Sequence, residues 1–77
     1  MTTVKVGKRY THYRNNEIYE VLHIARDSDS TEEVVVYQGQ YVSEEFGANP
    51  IWARPLTEFV EMVELNGELV PRFKCTE

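Results

Sequence analysis

Short runs of apolar and β-branched residues, separated by turn-forming clusters, follow one another along this chain. Lys8 to Arg14 reads as a strand, with Tyr10, His12 and Arg14 on one side and Arg9, Thr11 and Tyr13 on the other. Asn15-Asn16 marks a tight turn, because asparagine tolerates positive φ better than other non-glycine residues. The return strand, Glu17 to Arg26, contains IYEVLHIAR and is apolar on both faces, which suits a strand sandwiched inside a small barrel. The polar run Asp27 to Thr31 breaks the pattern. Glu33 to Tyr41 then resumes it with three consecutive valines, whose stiff side chains favour the pleated state. Gly39 within that strand predicts a bulge or a close backbone approach.

Ser43 to Pro50 reads as a polar loop, and Ile51 to Arg54 as a short strand kept extended at Arg54 by the following Pro55. Leu56 to Val60 has room for one helical turn. Met62 to Leu65 and Glu68 to Phe73 flank Asn66-Gly67, a strong two-residue hairpin signal. The prediction is an all-β domain, a small SH3-like barrel of five to six short antiparallel strands with one short helical turn.

Length narrows this to one domain, residues 1–77, with residues 1–6 expected as a mobile N-terminal arm. Hydrophobic residues at 42% and charged residues at 27% fit a chain that folds unaided. The longest apolar run, Val34 to Tyr37, is far short of the ~20 residues of a membrane helix, and a single cysteine, Cys75, forms no intrachain disulfide. A cytoplasmic location and no membrane association are the expectations. The net charge of -5 disfavours general nucleic-acid binding, which needs clustered lysine and arginine. The charge is uneven: residues 1–14 hold Lys5, Lys8, Arg9 and Arg14 and no acid, so an anionic partner would meet this segment first.

His12 and Arg14 share one strand face by the two-residue period, and Trp52 and Arg54 share another. Were the two faces to meet, guanidinium groups and an indole could hold a carboxylate-bearing or planar anionic ligand by bidentate hydrogen bonds and stacking. The plainer reading packs Trp52 in the core and pairs the arginines with glutamates. Five tyrosines suggest either an exposed aromatic ridge for an extended peptide or cross-strand pairing within the sheet. Pairing is the reading for Tyr19 and Tyr37, while Tyr10, Tyr13 and Tyr41 stay open between the two.

Asp27 to Glu33 has oxygen donors at alternate positions, as a calcium loop does. It has Glu32 where that loop needs glycine and Gln38 where it needs a bidentate glutamate, so it reads as a solvated hairpin turn. His12, His23 and Cys75 have no zinc spacing, and no glycine-rich phosphate loop is present. His23 reads as a hydrogen-bonded barrel residue. No catalysis, cofactor or metal is expected.

Tyr10-Thr11-His12-Tyr13-Arg14-Asn15 resembles the opening signature, Tyr-Arg-His-Tyr-Lys-Gly, of a bacterial family known as domain of unknown function 1653. The resemblance runs from about Gly7 to Phe73 and includes Tyr19, Val35-Val36-Tyr37, Trp52, Arg54-Pro55, Gly67 and Pro71-Arg72-Phe73. Asn15 stands where the signature has glycine, and the loop from Val42 to Ile51 is longer than is typical. The resemblance implies an SH3-like barrel and brings no established activity.

The functional expectation is a non-catalytic module, monomeric or weakly dimeric, that engages a protein segment through Tyr10, His12, Tyr13, Arg14, Trp52 and Arg54. The alternative is a binder of a small anionic or nucleotide-like ligand through Arg14, Arg54 and His12. Weak nucleic-acid binding by the basic N-terminal segment ranks third.

Overall fold

The computed structural model describes residues 4–76. Five antiparallel strands form the main sheet: β1 (Arg9–His12), β2 (Ile18–Arg26), β3 (Glu33–Gly39), β6 (Ile51–Pro55) and β9 (Phe73–Cys75), in the order β6-β3-β2-β1-β9. Two small hairpins flank it, β4 (Val42–Ser43) with β5 (Gly47–Ala48), and β7 (Met62–Leu65) with β8 (Glu68–Pro71). One helical turn, α1 (Leu56–Phe59), follows β6. The domain is all-β, as the turn spacing predicts, and the segment read as a loop after Ser43 carries the β4–β5 hairpin instead.

The sheet curls until its two edges face each other. β6 and β9 lie at opposite ends of the strand order and share no hydrogen-bonded ladder, yet the Arg54 guanidinium carbon of β6 lies 5.9 Å from the centre of the Phe73 ring of β9. A barrel-like body with an unbonded seam results.

Aromatic rings fill its inside. Tyr10, Tyr19, Val21, Val35, Tyr37, Phe59 and Phe73 are buried, and Phe59 stacks on Phe73 with centroids 4.1 Å apart. Tyr19 and Tyr37 pack edge to face at 5.3 Å, the pairing expected of them. Such contacts add about 0.5–1.5 kcal/mol each beyond the area they bury.

The bulge lies in β2. Val21 pairs with Tyr37 and His23 with Val36, so Leu22 is the extra residue. A bulge switches which alternate residues face inward. Tyr19 and Val21 point to the core before it, while after it Ile24 packs there and His23 is exposed. The both-sided apolar pattern of β2 thus reflects a change of phase rather than burial on two faces, and His23 is a surface residue rather than an interior one.

At Gly39, by contrast, the Tyr41 ring lies against the backbone so closely that a Cβ would stand 2.5 Å from it. Asn66 and Gly67 take φ of 53° and 84°, the left-handed pair that closes a two-residue hairpin. In the Asp27–Thr31 turn, Asp27 Oδ1 accepts from the Asp29 and Ser30 amides at 2.8 and 3.1 Å. Those bonds draw its carboxyl below the usual range.

Part of the N-terminal segment lies against the sheet. Gly7 donates to the Val21 carbonyl at 2.8 Å, the Lys5 amide donates to Tyr10 Oη at 3.0 Å, and Val4 packs against the core. Val4, Lys5 and Gly7 thus each contact the domain, Val6 is exposed, and residues 1–3 of the expected mobile arm lie outside the described residues.

Candidate functional site

A cavity of about 230 Å³ opens at the seam between β6 and β9. Tyr19, Tyr37 and Phe73 form its aromatic walls, and His12, Asn15, Trp52 and Arg54 supply the polar atoms. The faces carrying His12 and Trp52–Arg54 do meet. Register explains the meeting: His12 pairs with Phe73 across β1 and β9, while Trp52 pairs with Tyr37 across β6 and β3. Each residue reaches the cavity beside an aromatic partner already fixed in the core.

A chain of hydrogen bonds holds one wall. Trp52 Nε1 donates to Tyr41 Oη at 3.2 Å, Tyr41 Oη lies 3.3 Å from Tyr19 Oη, and Asn15 Nδ2 donates to Tyr19 Oη at 3.4 Å. Burial, with the Tyr41 hydroxyl second, pushes the Tyr19 hydroxyl up to about 12, so it stays protonated at any physiological pH. Trp52 is half-buried and its ring meets Phe46 edge to face at 5.3 Å.

The opposite wall is cationic. Arg54 Nε donates to Tyr37 Oη at 3.3 Å, and its Nη1 lies 3.7 Å from Glu58 Oε1. Nη2 of Arg54 makes no hydrogen bond among the described residues. His12 accepts the Arg14 amide hydrogen at Nδ1 over 3.1 Å, which leaves Nε2 to carry the proton of the neutral ring. Burial, followed by the charges of Arg54, Arg72 and Arg14, holds the His12 pKa below 6.5. Three guanidinium groups thus bear on one imidazole in a chain whose net charge is -5.

A second, apolar groove of about 330 Å³ adjoins the cavity, with His12 common to both. Leu65, Val70 and Pro71 of the β7–β8 hairpin line it together with Thr11, Tyr13, Asn16 and Lys74.

Two expected contact residues lie elsewhere. Tyr10 is only 6% exposed and packs edge to face on Phe59 at 5.4 Å, so it is a core residue and not part of a surface. Arg14 leaves the His12 face because β1 ends at His12. Residues 13–16 form a four-residue loop, closed by the Asn16 amide on the His12 carbonyl at 3.0 Å with Asn16 at φ 58°. Arg14 folds back onto Tyr13, its guanidinium carbon 5.8 Å from the ring centre. Tyr13 lines the groove rather than the cavity. Asn15, Phe73 and Arg72 were not anticipated at the site. The β1–β9 pairing that brings Phe73 to His12 joins distant parts of the chain and leaves no local trace in the sequence.

Residues 8–75 match the family described as Protein of unknown function (DUF1653). The chain belongs to this family. No curated protein and no solved structure matches it. Among the described residues, no helix is long and apolar enough to cross a membrane, and no group of three or more His, Cys, Asp or Glu residues is placed to hold a metal ion.

Proposed function

We propose that this DUF1653 chain is a non-catalytic, SH3-like interaction module of the bacterial cytoplasm that binds an extended protein segment. The contact residues are His12, Tyr13, Trp52 and Arg54, with Arg14 at the margin. The observation that carries the reading is the pair of adjoining depressions, one polar and one apolar, meeting at His12. Extended segments are recognised in this way, with successive side chains entering neighbouring pockets of different chemistry. The polar groups of the cavity are suited to holding a ligand in place between its aromatic walls.

Selection of a random twelve-residue peptide library on the immobilised domain tests this reading. The expected result is a convergent set of sequences whose binding falls at least tenfold with Trp52→Ala in the cavity or Val70→Asp in the groove, both variants checked for native melting. Failure to enrich any sequence, or enriched sequences indifferent to both substitutions, would remove the proposal.

A further inference from the structure

The polar cavity has a more specific chemistry than its aromatic walls suggest. Its available polar atoms are chiefly donors. Arg54 Nη2 makes no bond among the described residues, and His12 carries its proton on Nε2 because Nδ1 is occupied by the Arg14 amide. The hydroxyls of Tyr19 and Tyr37 already accept from Asn15 and Arg54. Among the described residues no aspartate or glutamate lines the cavity, although the chain carries thirteen of them. Such a place favours an acceptor bearing negative charge.

The charge suits one negative unit. Among the described residues Arg54 is the single formal cation lining the cavity, Glu58 offsets it in part from 3.7 Å, Arg14 and Arg72 act on His12 from outside the lining, and the His12 pKa is held below 6.5. A dianionic phosphate would meet too little positive charge inside an acidic chain, whereas a planar carboxylate matches one guanidinium fork and one imidazole N–H. The cavity volume of about 230 Å³ leaves space for a carboxylate and its short stem between the aromatic rings.

We infer that the cavity between His12 and Arg54 is a carboxylate socket, and that its occupant is an aspartate or glutamate side chain of the bound segment, with an apolar neighbour in the Leu65–Val70–Pro71 groove. This assignment rests on the interaction reading above and adds the residue class it selects.

The carboxylate chemistry is common to a peptide side chain and a free small acid, and two arms of one experiment separate them. In the first, the emission of Trp52, the chain's only tryptophan and a wall of the cavity, is followed while sodium acetate replaces sodium chloride at constant ionic strength. The expected result is a saturable change that Arg54→Gln abolishes and that Arg26→Gln, at the other end of β2, leaves intact. Arg54→Lys, which keeps the charge without the planar fork, should retain only part of it. In the second arm, each acid in the library-selected peptides is replaced by its amide, with an expected loss of about tenfold or more where that acid occupies the socket.

No saturable acetate response together with selected peptides that carry no recurrent acid would overturn the socket while leaving the interaction module standing. A phosphate response tighter than acetate would overturn the choice of a monoanion. An acetate response with no selectable peptide would overturn the peptide side chain as occupant and assign the socket to a free carboxylic acid.

Discussion

Replacing Gly39 by alanine should destabilise the domain through one identifiable contact. The added Cβ would stand 2.5 Å from Tyr41 Cε2 and 2.8 Å from Cζ, whereas ordinary contact begins at 3.4 Å, so the ring must retreat by about 0.9 Å. The ring is not free to do so cheaply, because its hydroxyl accepts from Trp52 Nε1 at 3.2 Å and pairs with Tyr19 Oη at 3.3 Å. Overpacking of this kind costs about 1–3 kcal/mol. With the Tyr41 hydroxyl held by two bonds the upper part of that range, about 2–3 kcal/mol, applies, and the roughly 0.5–1 kcal/mol that alanine otherwise gains over glycine in a strand leaves a net loss of about 1–2.5 kcal/mol. For a domain of this size that lowers Tm by roughly 5–15 °C. Urea unfolding followed by far-ultraviolet dichroism supplies the free energy, and Trp52 emission reports the ring's displacement. The control is the Tyr41→Ala background, where Gly39→Ala meets no ring and should be neutral or stabilising. A loss below about 0.5 kcal/mol in the wild-type background, or an equal loss in both, would show that the close approach to Tyr41 is not the constraint.

Two further outcomes follow from groups around the cavity and the arm. Because the folded His12 pKa lies below 6.5, the unfolded chain binds more protons than the folded one just under that value. The stabilisation is therefore complete above pH 6.5 and declines as pH falls toward the folded pKa. His12 faces Arg14 beyond the end of its own strand, Arg54 of β6 and Arg72 just before β9, and no carboxylate is among the groups that shift it. The urea midpoint should thus drop more between pH 7.5 and 5.5 in the wild type than in His12→Asn, and equal drops would refute the assignment. Tyr10→Phe removes the acceptor of the Lys5 amide, which should cost about 0.5–1.5 kcal/mol and speed hydrogen exchange at Lys5. Unchanged exchange at that amide would show that the arm is held by other contacts.

Much of the fold could be read locally. The valines of β3, the Asn66-Gly67 turn and the helical turn after Pro55 each combine propensity and punctuation within a few residues, and each occupies its expected place. What escaped reading depends on distant partners. The bulge at Leu22 is fixed by the register against β3, and the apolar residues on both sides of β2 gave its consequence without its cause. Tyr10 has the same composition signal as an exposed interface tyrosine. Its burial follows from Phe59, which arrives only with the helical turn. At the site, the meeting of His12 with Trp52 and Arg54 rested on the curl of the sheet, while the displacement of Arg14 follows from a loop two residues longer than the Asn15-Asn16 turn suggested.

The pairing of β1 with β9 also governs how the chain reaches this state. Tyr10 lies opposite Cys75, so β1 gains its second neighbour only by bringing together segments from opposite ends of the described residues. Phe73 arrives with that last strand, and it is the ring against which Tyr19, Tyr37 and Phe59 all pack. Until then, a nascent or unravelled chain displays three large rings beside a strand edge with nothing hydrogen-bonded to it, the combination that invites sticking to other chains. Non-local closure of this type also slows folding. The final strand is thus a latch on assembly, and the interval before it shuts is when this domain is most exposed to aggregation and proteolysis.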